Sequence, residues 1–194
     1  CSLFRLREIL NHPGRLWYYR LRGYEVDDSI IQNKTIGHSH VLPPELRSVE
    51  GAKSVIRKLI FKAGRRLREE KYWATGITVS IHFFNGDDFS QGKKVAAFCD
   101  TQNFTSHIFS ILQSCRWRGR PSYVSITAFG LSKMAGEQIS LMGEVEKQKS
   151  VSRAIDLIND EFGPSTIFPA SMFSARDSAP DRIPFGRPRY DIKF

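Results

Sequence analysis

The chain has 194 residues, 41% of them hydrophobic, with 14 Phe, a formal net charge of +9 and a pI near 9.7. That length supports one substantial core, and the apolar content excludes a disordered chain. The basic balance favours nucleic acid or another acidic surface as partner.

The cysteines Cys1, Cys99 and Cys115 are scattered and lack CxxC spacing. This argues against a disulfide framework or a zinc site and fits a reducing cytoplasm. No apolar run reaches membrane-spanning length and no signal peptide is visible. The first residue is Cys, and helix-like sequence follows at once, as expected of a piece of something longer.

Residues 2–23 read as a helix through Leu3, Leu6, Ile9 and Leu10, a Pro13-Gly14 turn and a second short helix. Residues 24–34 are polar and irregular, a linker. Residues 35–43, TIGHSHVLP, read as a strand halted by Pro43-Pro44. From about Ser48 to Glu70, Val49, Ala52, Val55, Ile56, Leu59, Ile60, Ala63 and Leu67 recur at helical steps. Arg57, Lys58, Lys62, Arg65, Arg66 and Arg68 give this helix a basic outer side.

Residues 74–84 alternate, with Ile77, Val79, Ile81 and Phe83 on one face and Thr78, Ser80, His82 and Phe84 on the other. NGDDFSQG is a turn, and residues 93–101 form the return strand. A second helix spans 104–117 through Ile108, Ile111, Leu112 and Cys115, and 122–131 is a further alternating strand. The order is β-α-β-β-α-β. The expected fold is therefore α+β: a four-stranded antiparallel sheet with two helices on one face, plus helical N-terminal and helix-strand C-terminal additions. Thr78, Ser80, His82, Ser125 and Thr127 are left on the open face, a smooth polar surface able to lie along phosphates.

EQISLMGE, residues 137–144, holds three large apolar residues in what otherwise reads as a surface linker. Apolar residues with no core to join point to a partner. Ser150 then caps a helix with the stripe Val151, Ala154, Ile155, Ile158 and Phe162, which Gly163-Pro164 stops. Residues 166–168 suit a short strand, and the tail from Ser174 lacks regular pattern.

Two further motifs bear on chemistry. Gly86-Asp87-Asp88 matches the GDD of some polymerase sites, but it falls in a polar hairpin loop with no second acidic strand, so a turn is the better reading. His38-Ser39-His40 can place two imidazoles on one strand face, but no carboxylate or Cys lies close in sequence, so no metal site is expected. The rival readings are a stand-alone metal-dependent nuclease using His38/His40 or Asp87/Asp88, and an RNA-binding sheet platform. The latter normally shows stacked aromatics.

The order of motifs resembles the C-terminal region of bacterial Y-family translesion DNA polymerases of the DinB/UmuC/ImuB type. RLWYYRLRGYEVD is similar to the end of the thumb, and TIGHSHVLPPEL to the first strand of the little finger. The helix ending AGRRLREE is similar to that domain's first helix. EQISLMGE with SVSRAIDLINDEFGPSTIF is similar to a clamp-binding peptide and the helix-strand after it. The resemblance covers roughly residues 3–173. It implies a thumb end at 1–23, a linker at 24–34 and a little finger at 35–132. A peptide-bearing linker at 133–148, a helix-strand at 149–173 and an irregular tail at 174–194 complete it.

The family implies duplex DNA and the bacterial sliding clamp as partners, a monomer, and a nucleoid location in damage tolerance and the SOS response. The clamp peptide maps to Gln138, Ile139, Ser140, Leu141 and Met142. DNA contacts map to Gly37, His38 and Ser39, to Thr78, Ser80 and His82, to Lys93 and Lys94, and to Ser125 and Thr127. Arg116, Arg118 and Arg120 precede the last strand and complete the set. The thumb remnant from His12 to Arg20 resembles a hairpin whose amides approach phosphate, with Trp17, Tyr18 and Tyr19 as core. The family's catalytic carboxylates, which hold two magnesium ions for nucleotidyl transfer, lie in a palm with no counterpart here. No catalytic residue, cofactor or metal is therefore expected in this stretch, and the parent is an active DNA polymerase or an inactive relative.

Overall fold

The computed structural model describes residues 2–24, 35–133 and 144–179. The linker from residue 25, the peptide Gln138–Met142 and the tail beyond 179 lie outside them. The chain forms two units, Cys1–Asn33 and Lys34–Phe194.

In the first unit, α1 (Leu3–Arg20) opens at Ser2, whose hydroxyl accepts from the Arg5 N–H at 3.3 Å. It breaks at Asn11 (φ 51°, ψ −134°), two residues before Pro13. Proline removes a helical donor and disfavours helix just ahead of itself, so the two-helix reading holds. A Cβ on Gly14 would sit 2.0 Å from the Leu6 carbonyl oxygen, so only glycine lets the halves meet there. Tyr18, Tyr19 and Tyr24 form edge-on ring contacts, and Arg22 lies 3.5 Å over Tyr18. Trp17 remains half exposed.

In the second unit, β1 (Thr35–Val41), β2 (Ala74–Phe83), β3 (Asp88–Phe98) and β4 (Pro121–Phe129) form one antiparallel sheet in the order β1-β4-β2-β3. Helices α2 (Val49–Glu69) and α3 (Thr101–Leu112) cover one face. Ser48 caps α2 by accepting from Gly51 N–H at 3.0 Å, and Asp100 caps α3 by accepting from Asn103 N–H at 2.7 Å. The core joins Ile36, Ile77, Val79, Ile81, Val124 and Ile126 to Val55, Leu59, Phe104 and Ile108. The expected four-stranded antiparallel fold is the one observed.

Three elements differ most in their bounds from the sequence reading. β3 begins at Asp88, five residues earlier than expected, because Phe89 pairs with Ile81 and Ser90 with Ser80. The hairpin turn is accordingly short, closed by Gly86 N–H to Phe83 O and Phe83 N–H to Asp87 O. Helix α3 starts at Thr101, because Asp100 is its cap rather than part of a strand, and it ends at Leu112 rather than residue 117. Helix α4 (Glu144–Phe162) begins six residues before Ser150, since nothing in EVEKQK breaks a helix.

The C-terminal part departs most. Residues 166–168 form no strand; a 3-10 helix, Ala170–Ala175, follows instead and buries Met172 and Ala175. This segment lies on α2, whose side expected to face solvent is partly covered. The Ser54 hydroxyl donates to Ser171 O, Lys58 donates to Arg176 O, and Lys62 donates to Ala179 O at 3.0 Å. Arg68 forks onto Asp156 at 2.6 and 2.9 Å and also donates to Cys99 O and Thr101 Oγ1. Helix α4 meets α2 through Asp156, and its Ser152 and Asn159 are buried and Ile155 and Ile158 half-buried, while Val151 and Phe162 of its expected apolar stripe are 51% and 68% exposed.

Candidate nucleic-acid interface

Among the described residues no element covers the second face of the sheet, and strand pairing fixes its composition row by row. One row is Gly37, Thr127, Thr78 and Gly92. The next is Ser39, Ser125, Ser80 and Ser90, a serine on every strand. Beyond it lie Val41, Tyr123, His82 and Asp88, and at the other end Thr35, Phe129, Gly76 and Lys94. Neighbouring strands lie about 4.8 Å apart and alternate residues about 6.8 Å apart, so the hydroxyls form a regular grid.

Glycine keeps this surface low. A Cβ on Gly37 would lie 2.8 Å from the Ile126 carbonyl oxygen and the Thr127 hydroxyl, and one on Gly92 would lie 2.9 Å from the Thr78 hydroxyl. Ser80 and Ser90 share a hydrogen bond at 2.8 Å. At the hairpin end, His82 Nδ1 sits 2.5 Å from Asp88 Oδ1 and its ring lies 5.3 Å from that of Tyr123.

Eight of the residues named from sequence share this face: Gly37, Ser39, Thr78, Ser80, His82, Lys94, Ser125 and Thr127. Two do not. His38 pairs with buried Ile126 and Lys93 with buried Ile77, which places both on the helix-covered side, Lys93 at its edge strand. Lys93 there acts on His107 of α3: burial first, then the Lys93 charge, push that imidazole below its usual range, against a smaller pull from Asp100. Arg116, Arg118 and Arg120 lie in the exposed connection from α3 to β4. Asn85 Nδ2 donates to Arg118 O and Phe84 N–H to Arg120 O, so this connection joins the hairpin turn.

Sequence reasoning missed Ser90, Gly92, Tyr123 and Phe129. The first two were hidden by reading the start of β3 as a turn. The alternation of Phe89 and Gln91 with Ser90 and Gly92 was the available signal. Asp88 belongs to a strand, not to a loop, and pairs with His82. His40 shares the helix-covered side with His38 and accepts from Ala179 N–H at 3.3 Å. Among the described residues no group of three or more His, Cys, Asp or Glu is placed to hold a metal ion. No helix among them is long and apolar enough to cross a membrane.

Residues 33–141 match the model of the impB/mucB/samB family C-terminal domain, over half of the chain. The chain is also similar to two proteins named DNA polymerase IV. That of Oceanobacillus iheyensis is 21% identical over 175 residues, 86% of this chain and 42% of that one. That of Moorella thermoacetica is 25% identical over 164 residues, 79% and 40%. The chain thus spans about two fifths of the length of these curated relatives. The matched domain, the four-stranded sheet with its two helices, and these relatives agree: the chain belongs to the impB/mucB/samB family and is a Y-family polymerase C-terminal region.

Proposed function

We propose that this chain is the DNA-binding and sliding-clamp-docking portion of a translesion DNA polymerase, acting on duplex DNA in damage tolerance in the bacterial nucleoid. The observation that carries the DNA reading is the open sheet face, whose hydroxyl rows, glycine gaps and absence of protruding aliphatic side chains in the central rows suit a sugar-phosphate backbone. Phosphate contacts position a protein without reading bases, so binding is sequence-independent. Docking on the clamp is assigned to Gln138, Ile139, Ser140, Leu141 and Met142, by their match to the family's peptide. Nucleotidyl transfer is not assigned to the described residues, which offer no cluster of carboxylates for magnesium. The chain alone is expected to extend no primer, checked by primer extension with magnesium.

Among the described residues the cations beside the face are Lys94 on the sheet and Arg116, Arg118 and Arg120 at its hairpin end. With three to four phosphates neutralised, log K should fall by about 3 to 4 per decade of salt. Fluorescence anisotropy with a labelled duplex across a salt series measures this. Affinity flat in salt would refute backbone binding.

One observation favours a second reading. Tyr123 and Phe129 lie on the open face of central strand β4, where an RNA platform would stack bases. They stand at opposite ends of the strand, about 20 Å apart, and the Phe129 ring lies over Gly76. Neither position forms an adjacent stacking pair. Tighter binding of single-stranded RNA than of duplex DNA in the same assay would favour that platform.

A further inference from the structure

Phe84 is a large apolar side chain that the fold leaves unused. It is 58% exposed and lies outside the core. It directly follows β2, at the hairpin end of the open sheet face. Its backbone is nevertheless held: Phe84 N–H donates to Arg120 O at 3.0 Å, and beside it Gly86 N–H donates to Phe83 O at 3.1 Å. The guanidinium carbon of Arg47 lies 4.6 Å from the centre of the Phe84 ring. Arg47 is itself anchored just past the end of β1, where its Nε donates to Leu42 O at 3.0 Å. Two residues distant in sequence thus stack a cation on an aromatic ring at the rim of the sheet.

We infer that Arg47 and Phe84 form a stacking plate for an unpaired nucleobase, placed where single-stranded DNA continuing from a bound duplex leaves the sheet face. The inference rests on the sheet-face reading given above and adds a second form of the ligand to it. Arg47 covers one face of the ring, so the exposure of Phe84 belongs to the other face and the edge. Every base has a π-face that stacks on such a ring, whatever its sequence. Within a duplex the base faces already stack on one another, so only an unpaired base can use the plate. The cation–π contact and the anchor of Arg47 hold the plate in place before the base arrives, which lowers the ordering cost of binding.

The surroundings fit an anionic strand. The α3–β4 connection brings the exposed residues Arg116, Arg118 and Arg120 to this turn, Arg120 through the Phe84 N–H and Arg118 through a bond from Asn85 Nδ2 to its carbonyl at 3.2 Å. Their guanidinium groups suit the phosphates that flank a stacked base. Of the acids at this end, Asp87 accepts from Asn85 Nδ2 at 2.8 Å, Asp88 contacts His82, and Glu45 is exposed two residues before Arg47. A single ring framed by guanidinium groups offers little apolar area to a protein partner. A nucleotide matches both of its parts, the base to the ring and the phosphates to the cations.

The test uses the full 194-residue chain and anisotropy at fixed salt, with the dye on the far end of each probe. The probes are a blunt duplex, the same duplex with a single-stranded overhang of about five nucleotides on either strand, and the same overhangs made abasic. An abasic overhang keeps the phosphates and removes the bases, so the comparison isolates stacking from charge. Wild type should bind at least one overhang about five- to tenfold more tightly than its abasic counterpart. Phe84→Leu, which keeps an apolar side chain but has no π-face, should bind the two within about twofold of each other and keep its blunt-duplex affinity. Phe84→Trp should restore the difference. Thermal melting of each variant verifies folding. Equal affinity of wild type for base-bearing and abasic overhangs, or a Phe84→Leu variant that keeps the difference, overturns the inference and leaves the sheet reading standing. Binding of the overhang probes without the blunt duplex would overturn the sheet reading alone, and no binding of any probe would overturn both.

Discussion

Gly76 shows how a missing side chain shapes this surface. A Cβ there would lie 2.1 Å from Phe129 Cε2, so the ring must leave its place. Gly76→Ala should cost about 1–3 kcal/mol by overpacking and lower the melting temperature by several degrees. An unchanged melting temperature would mean that the ring is not held against the strand. His107 offers a test by pH. Its imidazole is held below the usual range, first by burial and then by Lys93. On acidification the unfolded chain takes up this proton near pH 6.5, before the folded chain does. His107 thus contributes stability above about pH 6.5, and that contribution is lost as pH falls through the lower folded value. His107→Gln should lose less stability than wild type between about pH 7.5 and about pH 5, measured by urea unfolding. The ring also contacts Phe98 at 5.7 Å, so the variant starts less stable; only the pH dependence tests the point. Equal losses in both proteins would contradict it. At this scale, side chains set by strand alternation were legible, as Ser80 and Thr127 show. The glycine contacts were not, because each depends on a neighbour distant in sequence.

Elements were legible where hydrophobic period alone determines them. The α2 stripe from Ala52 to Leu67 is buried as read, and β2 and β4 alternate as read. Helix α4 was legible only in part: Ile155 and Ile158 of its expected stripe are half-buried, while Val151 and Phe162 are exposed. Its shielded side mixes polar Ser152, Asp156 and Asn159 with half-buried Ile155 and Ile158, and Asp156 and Asp160 meet cations of α2 that on sequence grounds belong to solvent. Ser152 and Asn159 are buried at 8% and 3% exposure, and Asn159 exchanges hydrogen bonds with the N–H and carbonyl of Ile167 at 2.9 and 3.0 Å. Periodicity carries no signal for such a contact, since it scores apolar residues only. The link between Arg68 and Asp156 is the strongest in this interface, with both side chains largely shielded at 11% and 16% exposure. Asp156→Ala would leave the guanidinium shielded with no carboxylate. We expect a loss of about 2–3 kcal/mol in unfolding free energy, below the full cost at a wholly buried pair. Isosteric Asp156→Asn should lose less, because it still accepts a hydrogen bond. A cost below about 0.5 kcal/mol for Asp156→Ala would place this pair with ordinary surface ion pairs.

Over the whole molecule, the net charge of +9 proves a poor map of where DNA would lie. Lys58, Lys62, Arg65 and Arg68 face the chain's own C-terminal segment, and Arg57 lies 4.4 Å over the Phe109 ring. The sheet face is the less charged side, and geometry rather than charge recommends it. This division bears on the proposed docking peptide. The core among the described residues is built from the four strands, α2, α3 and the 3-10 helix, and the proposed DNA face from the strands alone. Docking on the clamp and binding to duplex should then be separable by mutation. Burying two apolar side chains of this size contributes about 1.5–3 kcal/mol each, offset by the ordering of the peptide, so clamp affinity should be on the order of micromolar. The double variant Leu141→Ala/Met142→Ala should weaken clamp binding by about a hundredfold or more. Its melting temperature and its duplex affinity should stay close to wild type. Titration against the purified clamp, with thermal melting of the same samples, decides the matter. A double variant that melts several degrees lower yet still binds the clamp would show that Leu141 and Met142 serve the fold and that docking lies elsewhere.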